Sequence, residues 1–500
     1  MKAYLGIDAG NTGVKALLFD ETGLELARAG RETGGTSPAP GRVERDLGRL
    51  RGDLDALIRE VLATSGLQGK EIAGIGTAGH GNGLYLLDAD EAPLAAIQSM
   101  DTRAAALVAE WDASGVSDTI SKIALQRPWP AQTPTLLAWM ARYQPDLMQR
   151  AAHVLMCKDL VTHALTGRVA SDVSDMGGAG LLRLPENSYD DGLLAAYGLP
   201  KARSILPPLL WPTDVAGTVT AQVAARTGLA AGTPVVAGLF DVVASAVGAG
   251  VTKPGEASVI IGTWSINQAI VEVPAGNVFM SCGLTPGRYM AMENSATSAA
   301  NLEWMVHHLL RHDERSDGKP YALADALALA APLRADLPMY HPYLYGASGD
   351  PSARAGFFGI AGWHDTGDLM RALFEGVSFA HLAHLTKLQA AGVESENITI
   401  SGGGARSPVW PQMLADMLGR GLAVAAQPEA GALGAAMAAA VGAGRFADLD
   451  EAAAAMVAPP RRITPDPQRH AIYQRRYALW QAVEQSLAPH WATLRQFGDA

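Results

Sequence analysis

The sequence predicts an α/β protein built from two related domains, and three observations carry that expectation. Apolar, strand-like runs alternate with stretches of helical apolar spacing. A strand–glycine turn–strand unit opens the chain, and a second one recurs near its middle. At 500 residues the chain is also longer than one hydrophobic core ordinarily organises.

The elements follow in order. In MKAYLGIDAGNTGVKALLFDETG, residues 4–7 and 14–19 read as strands around a glycine turn, and residues 20–23 as a second turn. Residues 47–63 carry helical spacing, and residues 72–76 form a short strand. GLYLLDADEAPLAA reads as a hairpin turning at DADE. In TPVVAGLFDVVASAVGAG an apolar strand ends at Asp241 and an apolar helix begins at once. Gly, Lys and Pro in VGAGVTKPG break both helix and strand, placing a domain boundary near residues 246–254 and dividing the chain into 1–247 and 248–500. EASVIIGTWSINQAIVEVP then repeats the N-terminal layout without repeating its residues. SGGGARS follows another apolar strand and precedes PVWPQMLADML, a helix with proline near its first turn. The Ala-rich stretch 420–460 is biased toward helix.

Composition narrows the function classes. Apolar residues make up 48% and charged residues 18%, a globular profile. A net charge of −11 speaks against a nucleic-acid partner. Two distant cysteines, Cys157 and Cys282, form no CxxC motif and fit a reducing, cytoplasmic setting. No basic segment leading into an apolar one marks a signal peptide, and the longest uncharged runs fall short of a membrane span.

Some motifs point nowhere. GIGTAG (74–79) has GxGxxG spacing but is followed by a turn and the apolar run LYLL rather than a helix, so it does not predict a dinucleotide site. There is no GxxxxGK[ST] loop. His307, His308 and His312 fall on one expected helix without HExxH spacing and read as a solvated face.

Three glycine turns are more informative. Gly10, Asn11, Thr12 and Gly13 place backbone N–H groups at a tight turn that can cradle anionic oxygens, with Lys15 nearby. Asp8, at the strand end, is suited to holding Mg²⁺ through water, although a plain structural hairpin accounts for it equally well. GTWS (262–265) and SGGGARS (401–407) supply two further turns after apolar strands. Helix starts favour anions, and bare glycines let a flat ring approach the backbone, so the three together point to a nucleotide. Asp241 has two readings: an N-cap for the helix it precedes, or a general base that takes a proton from a hydroxyl attacking a phosphoryl group.

DAGNTGVK, GLFD, GTWS and SGGGARSPVW, in this order and spacing, resemble the FGGY carbohydrate kinases of the sugar kinase/heat-shock/actin superfamily, essentially end to end. AGFFGIAGWHDTGDLMRALFEGVSF (355–379) is similar to that family's second signature, with Leu373 where a smaller or branched residue is usual. In AQTPTLLAWMARY, Leu136 stands where the first signature has Lys, and Trp139 is kept. SPAPGRVERDL, SMDTRA, SATSAANLEW and PYLYG are similar to the branch that phosphorylates L-xylulose. Val242 replaces the Asn that usually follows the catalytic Asp in D-xylulose kinases, and Gly81–Asn82 replaces their Met–His pair.

The resemblance implies two actin-like (ribonuclease H-like) domains, each a mixed β-sheet flanked by helices, around a central cleft. It implies sugar on the N-terminal domain and MgATP mostly on the C-terminal one. By position Asp241 becomes the catalytic base and Asp8 the Mg²⁺ support. Gly10, Asn11, Thr12 and Lys15 meet the phosphates, with Asn11 where Thr is commoner; Gly262 and Thr263 form the second phosphate turn, and Gly403 and Gly404 the adenosine site. The helix start at residues 299–304 flanks the nucleotide. His80, Asn82, Asp101 and Arg103 match sugar-binding segments, with Trp129 and Trp264 packing on the carbon skeleton. The expected partner is a small sugar, with no nucleic acid or membrane and a homodimer left open. The expected reaction is ATP-dependent phosphorylation of a terminal hydroxyl of a ketopentose, L-xylulose first, with D-xylulose or a linear polyol such as erythritol as alternatives. An actin- or chaperone-like ATPase without sugar transfer is the rival from another class.

Overall fold

The structure, a computed structural model, describes residues 2–32, 35–347, 350 and 352–496. Contacts divide the chain into two compact units. The first comprises residues 1–254, 270–291 and 429–458; the second comprises 255–269, 292–428 and 459–500. Two later stretches therefore return to the first unit, an arrangement that a single cut near residue 247 does not describe.

The first unit is organised by a mixed sheet. The opening hairpin, Ala3–Ala9 with Gly13–Asp20, is antiparallel and extended by Glu25–Glu32. On its other side Ala3–Ala9 runs parallel to Ile72–Gly79, which in turn pairs with Pro234–Val236 and Leu239–Phe240. The expected strand before Asp241 is thus two short strands, interrupted at Gly238, whose φ of 83° suits glycine.

Alternation along the first strand sends successive side chains to opposite faces. Leu5 and Ile7 join a core with Leu50, Leu54, Leu57 and Val61 of the helix Leu47–Ser65, which Asp46 caps through the Arg49 N–H. The opposite face is paved with small residues: Gly6 lies beside Gly76, and Asp8 beside Ala78. The Ala-rich helix Ala430–Gly442 packs directly on that paving. A Cβ on Gly6 would fall 2.0 Å from the Ala432 carbonyl oxygen, and one on Gly76 would fall 1.8 Å from that of Ala435. The helix Asp241–Gly248 crosses the same helix as closely, with a Gly434 Cβ position 2.0 Å from the Ala244 oxygen. The alanine bias therefore reflects close backbone packing as well as helix propensity.

In the second unit Glu256–Ile261 pairs antiparallel with Ser265–Val271 and parallel with Asn397–Ser401. Leu422–Val424 and Arg461–Ile463 extend this sheet. Its long helix, Thr366–Ala390, starts in a reciprocal cap between Asp365 and Asp368. The helix carrying the histidines runs Ala300–Met305 and widens to a π-turn over Val306–Leu310, so His312 lies beyond it rather than on one face with His307 and His308. Among the described residues no helix is long and apolar enough to cross a membrane. Both cysteines are free and buried.

Candidate functional site

The strand–turn–strand at the N-terminus ends in a carboxylate that the fold surrounds from three directions, all within the first unit. Asp8 sits opposite Lys15 in the hairpin register. Its Oδ2 is 2.7 Å from where a Gly431 Cβ would stand, so the first turn of Ala430–Gly442 approaches it closely only because residue 431 is glycine. A helix N-terminus carries positive potential from its unpaired N–H groups. Even so, burial pushes the Asp8 carboxyl up to about 6, with Lys15 acting against the shift and Glu429 reinforcing it.

Asp241 is the first residue of its helix; Phe240 is the capping position, so the N-cap reading gives way. Burial holds the Asp241 carboxyl well above the ordinary carboxylate range; the nearby Asp8 adds to this, and the Val242 N–H opposes it. Two neighbouring, partly buried carboxyls resist carrying two negative charges at once. A proton or a cation relieves that conflict, and a raised proton affinity suits a carboxylate to general-base work. Among the described residues no three His, Cys, Asp or Glu side chains form a complete metal-ligand cluster. A cation at Asp8 would therefore keep most of its water, which is the habit of magnesium.

The turn at residues 10–13 is held from behind. Arg45, buried, donates to the carbonyl of Gly10 at 2.5 Å. Gln98 donates to the Asn11 carbonyl at 2.8 Å, and the Asn11 side chain exchanges hydrogen bonds with Ser99 at 2.9 and 3.2 Å. The Asn11 side chain is thus engaged by the protein, while Thr12 is exposed. Lys15 is half-exposed and paired with Glu429 at 2.7 Å.

Part of the expected sugar set lies against Phe240, the residue before Asp241. A Cβ on Gly81 would fall 2.5 Å from the Phe240 ring, so the His80–Asn82 segment packs directly against the residue preceding Asp241. The Gly83 N–H donates to the Ala131 carbonyl at 2.8 Å, which joins this turn to the segment holding Trp129 and Gln132. Three polar atoms on these joined segments are buried without a partner: Asn82 Oδ1, Trp129 Nε1 and Gln132 Oε1. Two acceptors and one donor left unsatisfied cost stability unless a ligand completes them. Asn82 holds a left-handed φ of 61°, which asparagine tolerates better than most side chains. Burial drives the His80 imidazole down to about 3, so it is neutral.

Asp101 and Arg103 are more committed. Asp101 accepts from the Val43 N–H and pairs with Arg103 at 2.8 Å; Arg103 also reaches Glu44 and lies 5.5 Å from the Trp139 ring centre. Trp264 belongs to the second unit, on the bend between its first two strands.

The second unit holds a cavity of about 720 Å³ bounded by Gly262, Thr263, Gly403, Gly404, Tyr321 and Asp325. The two central glycines differ in purpose. A Cβ on Gly404 would collide with Ile261 at 2.3 Å, so packing demands that glycine. Around Gly403 the nearest atom would be 3.9 Å away, leaving a bare backbone face that a flat ring can approach. The Gly262–Thr263 turn is tied to the helix start near residue 299, since the N–H groups of Ser298 and Ala299 donate to the carbonyls of Thr263 and Gly262.

Sequence reasoning missed Arg45, Gln98, Gln132, Tyr321 and Glu429. Arg45 and Gln132 lie in stretches that carry the family resemblance, but only long-range packing gives any of the five a place.

Similarity to known proteins extends over most of the chain. Residues 3–248 match the N-terminal domain, and residues 257–443 the C-terminal domain, of the FGGY family of carbohydrate kinases. The L-xylulose/3-keto-L-gulonate kinase of Escherichia coli K12 is 33% identical over 500 residues, covering 99% of each chain. The xylulose kinase of the same organism is 30% identical, covering 97% of this chain and 99% of its own. The crystal structure of xylulose kinase from Rhodospirillum rubrum superposes with a TM-score of 0.89 at 30% identity, covering 98% of this chain and 100% of that one.

Proposed function

The chain belongs to the FGGY family of carbohydrate kinases, and from that premise we propose that it phosphorylates a terminal hydroxyl of L-xylulose using MgATP. Residues 1–247 bind the sugar, and residues 248–500 bind most of the nucleotide. The observation that carries the sugar assignment is the set of unpartnered buried polar atoms on Asn82, Trp129 and Gln132, on segments joined at Gly83 and Ala131, the first of which packs on Phe240. A polyhydroxylated ligand supplies both donors and acceptors to such a set, and buried hydrogen-bonding groups discriminate strongly between hydroxyl patterns. His80 joins this contact, with Asp101 and Arg103 at its margins. A second observation favours the L-xylulose branch. The Phe240 ring stands 2.5 Å from where a side chain at position 81 would begin, so the glycine that replaces the methionine of the D-xylulose pattern is matched by the packing around it.

Asp241 accepts the proton of the attacking hydroxyl, and its raised proton affinity strengthens it as a base. The backbone of residues 10–12, with Lys15, meets the phosphates, as does the Gly262–Thr263 turn. Adenosine occupies the cavity at Gly403 and Gly404. Magnesium, held at Asp8 through water, supplies charge neutralisation to the phosphates when bound.

The test is ADP release with MgATP over L-xylulose, D-xylulose, 3-keto-L-gulonate, erythritol and glycerol, with Asp241→Asn in parallel. L-xylulose should give the highest kcat/KM, and the variant should bind it while losing roughly 10²–10⁴ in kcat. Preference for another sugar would overturn the substrate, and near-normal turnover by the variant would overturn the base.

A further inference from the structure

The segment that delivers Asp241 contains a residue of great conformational freedom. Pro234–Val236 and Leu239–Phe240 are separated at Gly238, which holds a left-handed φ. Pairing of Leu239 and Phe240 with Ala78 and Gly79 holds one side of this segment. A buried cluster within the same unit grips it at both ends.

The cluster is centred on Lys158, near the start of the helix Cys157–Thr166, whose side chain is fully buried. Its Nζ lies 2.5 Å from Asp159 Oδ1 and 2.9 Å from Asp172 Oδ1, and it donates to the Ala237 carbonyl at 3.3 Å. An ammonium carries three N–H groups, and these three oxygens give each one a place. Asp175, a third carboxyl nearby, stays 4.0 Å away. Burial works against the charge on Lys158, but the Asp159 and Asp172 carboxylates outweigh it and hold the proton on. Lys158 is also seated against the partner strand: a Cβ on Gly79 would fall 2.8 Å from its main-chain nitrogen.

Asp172 carries the grip to the other end of the segment. Its Oδ2 accepts the Ser174 N–H at 2.7 Å, and Ser174 Oγ accepts the Phe240 N–H at 3.1 Å. Both side chains are fully buried. The Phe240 ring is wedged as well, 3.1 Å from a Cβ position on Gly178 and 2.5 Å from one on Gly81. Ala237 and Phe240 are therefore held from one cluster, on either side of the glycine that could let them turn.

We propose that Lys158, Asp172 and Ser174 are positioning residues that fix the direction of the Asp241 carboxyl by holding Ala237 and Phe240 across Gly238. A general base works only within hydrogen-bond reach of the proton it takes, and a base already aimed there spares the cost of ordering it during turnover. The catalytic consequence rests on the reading of Asp241 as the base; the hold on residues 237–240 does not.

The test uses the full-length enzyme. Ser174→Ala removes one hydroxyl and leaves the buried Phe240 N–H without its acceptor. Hydrogen exchange over residues 237–241 should quicken, and kcat should fall about ten-fold or more while the KM values for sugar and ATP move little. Leu54→Ala, in the core beneath the first strand, serves as a control for lost stability and should keep its kcat. Asp172→Asn, which keeps an oxygen for the Ser174 N–H but removes the charge facing Lys158, should act in the same direction and carries the test if Ser174→Ala does not fold. Unaltered exchange over residues 237–241 in a folded variant overturns the hold. Faster exchange with normal kcat, alongside an inactive Asp241→Asn, overturns the positioning role and leaves the base standing. An active Asp241→Asn overturns the base itself, whatever the exchange shows.

Discussion

At the scale of single residues the proposed chemistry rests on two carboxyls, Asp8 and Asp241. Asp8 and Asp241 both sit where water is scarce, and both have raised proton affinities. For Asp8 the folded value of about 6 exceeds the ordinary 3.8. The folded state therefore holds that proton more tightly than the unfolded chain. The stability this contributes is fully present below about 3.8 and is lost as pH rises through about 6. At neutral pH the ionised Asp8 is a cost on the order of 2–3 kcal/mol, a price that function imposes on stability. Asp8→Asn should consequently raise Tm at pH 7.5 while abolishing most turnover, and the gain should shrink toward nothing near pH 4. Thermal melts of both proteins across that range check this; a stability difference independent of pH would show that Asp8 ionisation is not its source. The suspicion that Asp8 is more than a turn residue was available from IDAGNTGVK alone, because the strand, the carboxylate and the glycines are adjacent in the chain. Its surroundings were not. Glu429 meets Lys15 across 414 positions, and no local pattern announces such a pairing.

Among the elements, Ala430–Gly442 decides most about the site. It lies on the first sheet through Gly6 and Gly76 and against Asp241–Gly248 through Gly434. The helix that begins at Asp241 and the strand that carries Asp8 are thereby packed on one common element. Gly76→Ala would force a methyl to within 1.8 Å of a backbone oxygen and should destabilise the protein, by about 1–3 kcal/mol or more if the backbone cannot shift. Gly52→Ala offers the contrast. That position is exposed within Leu47–Ser65, with nothing near an added methyl, and the change should stabilise by about 0.5–1 kcal/mol. Denaturant melts of the two variants should move in opposite directions; similar shifts would mean that the close packing at residue 76 is not what limits it. The helical bias read over residues 420–460 was right for Ala430–Gly442 and Leu449–Met456 but not for Leu422–Val424, which is a strand, and the hairpins were legible from alternating apolar runs. The destination of the helix was not, because alanine and glycine specify closeness of approach without specifying a partner. The strand before Asp241 was legible as apolar, while its break at Gly238 depends on a backbone conformation that spacing does not reveal.

For the molecule as a whole, the proposed division of labour places sugar contacts in the first unit and the nucleotide cavity in the second. Hydrogen exchange should register this division. Sugar alone should slow exchange at residues 79–83 and 129–133, and ADP alone at residues 261–264 and 402–407. Protection of the second set by sugar in the absence of nucleotide would contradict the assignment. The sequence by itself determined the α/β class, the three glycine turns, the two candidate aspartates and the family, because each is written in residues close together and in a fixed order. Tertiary structure decided which glycines serve packing and which leave a surface bare, which polar atoms are left wanting a ligand, and that residues 429–458 return to the first unit. Those properties depend on distances between backbones far apart in the chain, and burial and desolvation exist only once the chain has closed around them.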